Sequence, residues 1–98
     1  MGTHFQLQGL SFIWDVKKAK LNVVNHDGIS FEQAAEAFFD PFMRLVDASR
    51  QDEVRDALIG FDMRGTLLFV VHLVIEDETI RIISARVATL KEQKYYDH

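Results

Sequence analysis

Apolar positions follow a helical spacing up to Asp40 and an extended one beyond Pro41, after a short opening strand. Leu10 to Trp14 is rich in β-forming residues and supplies that strand. Asp15 then stands where a helix N-cap belongs, and Val16 to Asn25 carries its lysines and Ala19 on a helical spacing. His26-Asp27-Gly28 ends this helix, because Gly28 can take the left-handed conformation a helix stop needs. Ser30-Phe31-Glu32-Gln33 has the form of a capping box and predicts a second helix from Phe31 to about Phe39. Phe31, Ala34, Ala35 and Phe38 fall on one stripe of it. Asp40 closes it, since the residue before a proline avoids the α region.

The extended half predicts four strands: Phe42 to Asp47, Arg55 to Met63, Leu67 to Glu76 and Thr79 to Arg86. Asp47 to Glu53 reads as a polar loop, and Arg64-Gly65 and Asp77-Glu78 as turns. Leu67 to Ile75 is apolar at nearly every position, as a central strand covered on both faces would be. Thr89-Leu90-Lys91-Glu92 is a second capping box, opening a short helix through Tyr96. The order strand, helix, helix, antiparallel meander, helix predicts an α+β domain with its helices packed on an antiparallel sheet. Residues 10–98 form that domain, and residues 1–9 are an N-terminal extension.

At 98 residues the chain has room for one modest core, and 48% apolar with 27% charged residues argues against disorder. The absence of cysteine excludes disulfides and thiolate metal sites, and suits a reducing, cytoplasmic home. Neither a secretory leader nor an apolar run of membrane-spanning length is visible, so no membrane partner is expected. The net charge of −4 weighs against a simple nucleic-acid binder. Yet cations cluster at Lys17, Lys18 and Lys20 and again at Arg81, Arg86, Lys91 and Lys94, so a basic cleft can exist within an acidic whole.

Three blocks of residues resemble the BrnT toxin family, a branch of the RelE-like ribonuclease toxins. The first is Phe12-Ile13-Trp14-Asp15 with Lys18, Asn22, His26 and Gly28, then Ser30-Phe31-Glu32 and Ala35. The second is Arg55 five residues before Gly60, and the third is Arg81 to Arg86 with Ala88, Glu92 and Tyr96. The resemblance covers roughly Phe12 to Tyr96. It implies a RelE-like fold and an endoribonuclease toxin of a type II toxin–antitoxin pair. It further implies metal-independent cleavage without a cofactor. The implied partner is a ribbon-helix-helix antitoxin, through which alone the toxin would meet DNA.

Such cleavage requires the 2′-hydroxyl to attack phosphorus, cations on the nonbridging oxygens, a proton for the leaving 5′-oxygen and a platform for a base. Arg81 and Arg86 are the first candidates for the phosphate clamp, since a guanidinium fork matches a phosphate. Their structural alternative is an ion pair at the sheet surface. Lys18 belongs to the motif, whereas a solvated helix face accounts for Lys20. His26 is a candidate acid or base, or a helix C-cap. Tyr96 is a candidate proton donor or stacking partner, or a residue packing the last helix. Trp14 reads as core.

Arg55 and His72 are candidate substrate-binding residues by strand parity. If Asp62 pairs with Leu67 and Glu76 with Thr79, then Arg55, His72 and Arg81 share one sheet face. A buried histidine satisfied by a hydrogen bond is the alternative for His72. No paired histidine spacing marks a metal site. Asn25 and Asp27 stand where the family reads a lysine directly before His-Gly. With the acidic charge, they motivate a second expectation: a catalytically silent module that binds an antitoxin without cleaving RNA.

Overall fold

A computed structural model describes residues 2–98. Met1 lies outside the described residues. The chain runs β1 (Gly2–Leu7), β2 (Leu10–Asp15), α1 (Val16–Asn25), α2 (Phe31–Glu36) and β3 (Arg44–Asp47). It continues through β4 (Asp56–Phe61), β5 (Leu67–Ile75), β6 (Thr79–Val87) and α3 (Leu90–Tyr96). The fold is α+β. Among the described residues, no helix is long and apolar enough to cross a membrane.

The caps read from sequence hold the helices. The Asp15 carboxylate accepts the Lys17 and Lys18 N–H groups at 2.8 and 3.2 Å, which starts α1. Ser30 accepts the Gln33 N–H, but the Gln33 side chain leaves the box and donates to Asp62 instead, at 2.6 Å. The box at Thr89 and Glu92 is complete. The second helix stops being α-helical at Glu36 and tightens into a 3₁₀ turn, Ala37–Phe39, before Pro41.

The six strands form one sheet in the order β1-β2-β6-β5-β4-β3. It is mixed, a correction to the purely antiparallel expectation: β2 runs parallel to β6, with Phe12 beside Ile80 and Ile13 beside Arg81. Residues 2–7, placed by the sequence in an extension, are strand β1, hairpinned to β2 through Gln8 and Gly9, both at positive φ. Phe5 packs on Trp14 and Phe12, with ring centroids 5.5 and 6.4 Å apart.

One sheet face carries the core. Phe12, Trp14, Leu58, Leu68, Val70, Ile80, Ile82 and Ala85 pack there against Ile29, Phe31, Ala34, Ala35 and Ala37. Gly60 sits where the 3₁₀ turn crosses β4. A Cβ there would lie 2.8 Å from the Ala37 carbonyl oxygen, so only glycine fits. By alternation, the residues between the core positions point to the other face, which α1 and α2 leave open. Helix α3 crosses one end of that open face: Tyr96 meets Phe61 edge-on, and Arg44 lies over the Tyr95 ring.

The register differs from the parity expectation at both turns. Phe61, not Asp62, pairs with Leu67, because the Asp62 carboxylate turns inward to take the Arg64 and Thr66 N–H groups. A three-residue 3₁₀ turn, Glu76–Glu78, pairs Ile75 with Thr79. A β-bulge between Val71 and His72 then absorbs one extra residue of β6, so that Val71 faces Ser84 while His72 faces Ile82.

Candidate functional site on the open sheet face

The bulge decides which cations share a face. Arg81 and Arg86 are five residues apart, an odd separation that puts them on opposite faces of a regular strand. The extra residue at Ile83-Ser84 restores the parity. Arg81 stands opposite Leu73 and Arg86 opposite Phe69, both on the open side. Their cross-strand partners are four residues apart, a span of roughly 13 Å along β5. The two arginines therefore line two neighbouring hollows rather than one.

The first hollow, about 170 Å³, lies where β2 ends and α1 begins. Arg81, Lys18, Asp15, Ile13 and Ile83 are among its walls. Lys18 reaches it because the Asp15 cap starts α1 beside the bulged segment of β6. Hydrogen bonds, foremost that from the Lys18 N–H, hold the Asp15 carboxyl below its ordinary value, so it is an anion at neutral pH. Both Lys18 and Arg81 are exposed.

The second hollow, about 450 Å³, adjoins the first across Ile83. Its walls include Arg50, Arg55, Phe69, Ser84 and Arg86. Arg55 donates to Glu53 at 2.9 Å, while its buried Nε has no partner. Arg86 grips Glu92 with both terminal nitrogens at 2.8 Å, and its guanidinium lies 4.2 Å above the Phe69 ring. The Glu92 bond raises the Arg86 pKa further; burial pushes Glu92 up, but Arg86 and the Thr89 N–H bring it below its ordinary value. The pair is ionised throughout the physiological range.

Three predicted site residues lie elsewhere. His72 faces the helices and is 4% exposed, its Nδ1 3.1 Å from the Val70 carbonyl oxygen and its ring edge-on to Phe38 at 4.8 Å. This corrects the shared-face expectation: Arg55 and Arg81 line separate hollows on the open side, and the slipped registers turn His72 away. His26 caps the C-terminus of α1 through its N–H to the Asn22 carbonyl, and lines neither hollow. Tyr96 is the last residue of α3 and donates to the Asp40 carboxylate at 2.5 Å. Burial, then that bond, push its hydroxyl up to about 12. Asp40 is pushed up by burial, but the Phe61 N–H, Tyr96 hydroxyl and Phe42 N–H together hold it low.

Arg50, Phe69 and Ser84 were not singled out by sequence. Phe69 sits inside a strand that reads as uniformly apolar and Ser84 inside the Arg81 to Arg86 block, and only their positions opposite Arg86 and at the bulge give them a place in the hollow. Asn22 belongs to the motif, and its role is structural. Buried at 5% exposure, it donates to the Ala85 carbonyl at 2.7 Å and accepts the Ala85 N–H at 3.0 Å, as a neighbouring strand would. It also donates to the Ile29 carbonyl at 2.9 Å.

A small α+β domain with one sheet face open and cationic is a surface suited to a chain of phosphates. The model for BrnT, the ribonuclease toxin of type II toxin–antitoxin systems, matches residues 14–92. The chain belongs to that family, whose members are ribonuclease toxins with an RNA substrate and an antitoxin partner. Comparison with curated proteins gives no match.

Proposed function

We propose that the protein is a RelE-like endoribonuclease that cleaves RNA on its open sheet face without a metal. The carrying observation is the pairing of Arg81 with Lys18 in one hollow, beside a second hollow walled by Arg55 and Arg86. The RNA 2′-hydroxyl gives its proton to water and attacks the adjacent phosphorus, the bond to the 5′-oxygen breaks, and a 2′,3′-cyclic phosphate and a 5′-hydroxyl result. Arg81 holds the nonbridging oxygens as their charge grows, the largest single contribution such a site makes. Lys18 supplies the proton that the leaving oxygen takes up. Arg55 and Arg86 hold the flanking nucleotides. His26 and Tyr96 stand outside this scheme, Tyr96 because a hydroxyl near 12 and already bound to Asp40 is a poor donor. The cognate antitoxin is a ribbon-helix-helix protein, DNA is met only through it, and the pair works in the cytoplasm.

Purified protein incubated with RNA in a chelator tests this reading. Wild type should cleave, and Arg81→Ala should lose about 100-fold in rate with an unchanged unfolding midpoint. Unpartnered expression should arrest growth, and Arg81→Ala should relieve the arrest. The second reading, a silent module that only binds the antitoxin, draws on the closed Arg86–Glu92 pair and the net charge of −4. Unchecked growth with abundant soluble wild type would favour it.

A further inference from the structure

The state of Arg86 fits poorly with a phosphate clamp. Each of its two terminal nitrogens donates to Glu92, one of them also reaching the Val87 carbonyl at 3.3 Å. Its Cζ lies 4.2 Å over the centre of the Phe69 ring. The side chain is 36% exposed and lines the larger hollow. A guanidinium plane pinned at its edge and backed by an aromatic ring is a stacking surface for a nucleobase.

The rest of the hollow indicates which bases it takes. Arg55 lines it with a guanidinium, one terminal nitrogen of which is bonded to Glu53. Arg50 adds a second guanidinium, and Ser84 a hydroxyl that serves as donor or acceptor. Asp47 is the one carboxylate among the lining residues, and it accepts the Ser49 N–H at 2.9 Å. Donors therefore dominate the wall. Guanine at O6 and uracil at O4 present a carbonyl oxygen to such a wall, whereas adenine and cytosine carry an amino group at the corresponding position, which would meet N–H groups head-on.

We propose that Arg86, pinned by Glu92 over the Phe69 ring, is the stacking platform of a nucleobase pocket selective for the keto bases guanine and uracil, with the N–H groups of Arg50 and Arg55 and the Ser84 hydroxyl meeting the carbonyl. The pocket neighbours the Arg81–Lys18 hollow, so the base it holds belongs to a nucleotide flanking the cleaved bond. This rests on the ribonuclease reading and gives that site its substrate preference.

The test uses short oligonucleotides with one ribonucleotide step, every flanking base in turn, in chelator, with fully 2′-deoxy versions for binding alone. Wild type should favour steps flanked by guanine or uracil by about tenfold. Arg86→Lys keeps the charge and a bond to Glu92 but loses the plane, so KM should rise about tenfold with kcat little changed. Phe69→Leu, which removes the backing ring and keeps Arg86, should raise KM in the same direction. Arg55→Lys should level the keto preference. Equal cleavage of all steps, a preference for adenine or cytosine, or an Arg86→Lys variant that behaves as wild type overturns the inference and leaves the ribonuclease reading standing. No cleavage of any step, with no binding to the deoxy versions, sinks both.

Discussion

Asn22 shows how one side chain can stand in for a strand. Strand β2 ends at Asp15, and beyond it the outer edge of β6 would be left without a neighbour at Ala85, directly between Ser84 and Arg86. The Asn22 amide fills that place by giving and taking one hydrogen bond each with Ala85. Asn22→Ala would leave three buried backbone groups unsatisfied, and should cost about 3 kcal/mol, read by denaturant unfolding. Asn22→Asp should recover little of that, since a carboxylate accepts the Ala85 N–H but repels the carbonyls of Ala85 and Ile29. His72 makes a separate prediction. Burial holds its pKa below the usual histidine value, so the unfolded chain binds a proton more readily than the folded one. Stability is then full above about pH 6.5 and falls as pH drops below that, levelling once the folded histidine also protonates. His72→Leu should flatten this part of the stability–pH curve in calorimetry. A slope unchanged by the substitution would place the titrating group elsewhere.

Helix α3 is attached from outside, with no buried residue of its own. Its hold on the sheet rests on the Arg86–Glu92 pair, the Tyr96–Asp40 bond and the Tyr96–Phe61 contact. Glu92 serves twice, closing the capping box at Thr89 and gripping Arg86. Glu92→Ala should therefore weaken α3 locally by about 1 kcal/mol. Hydrogen exchange of residues 90–96 should speed up while β5 amides keep their protection. The three helices were legible in the sequence because their starts are fixed by Asp15, Ser30 and Thr89, which act within a few residues. Strand β1 was not. Its Gln8-Gly9 turn lacks the usual asparagine or aspartate, and Thr3, Phe5 and Leu7 make only a short alternation. The pairing of β2 with β6 was equally hidden, since residues some 70 apart leave no local mark of their parallel contact.

The two faces of the sheet divide the molecule's work, and that division explains what the sequence could say about the site. The cations themselves were legible by type and motif. Their convergence was not, because it depends on a bulge in β6 and on turn registers that Asp62 and the Glu76–Glu78 turn set by one residue each. On the proposed ribonuclease reading the open face must also draw a polyanion to a molecule of net charge −4, and salt separates the two effects. Each phosphate neutralised on a single strand contributes a slope of about −0.7 in log affinity against log salt. Long-range repulsion from the acidic surface is screened by the same salt, which makes the total slope shallower. Differences between variants cancel that background. Arg81→Ala and Lys18→Ala should each flatten the slope by about 0.7 on a non-cleavable strand. Lys20→Ala, on the same helix but outside both hollows, should shift affinity slightly and leave the slope in place. Equal flattening by all three would mean a diffuse basic patch, with no phosphate held at the mouth of the Arg81 hollow.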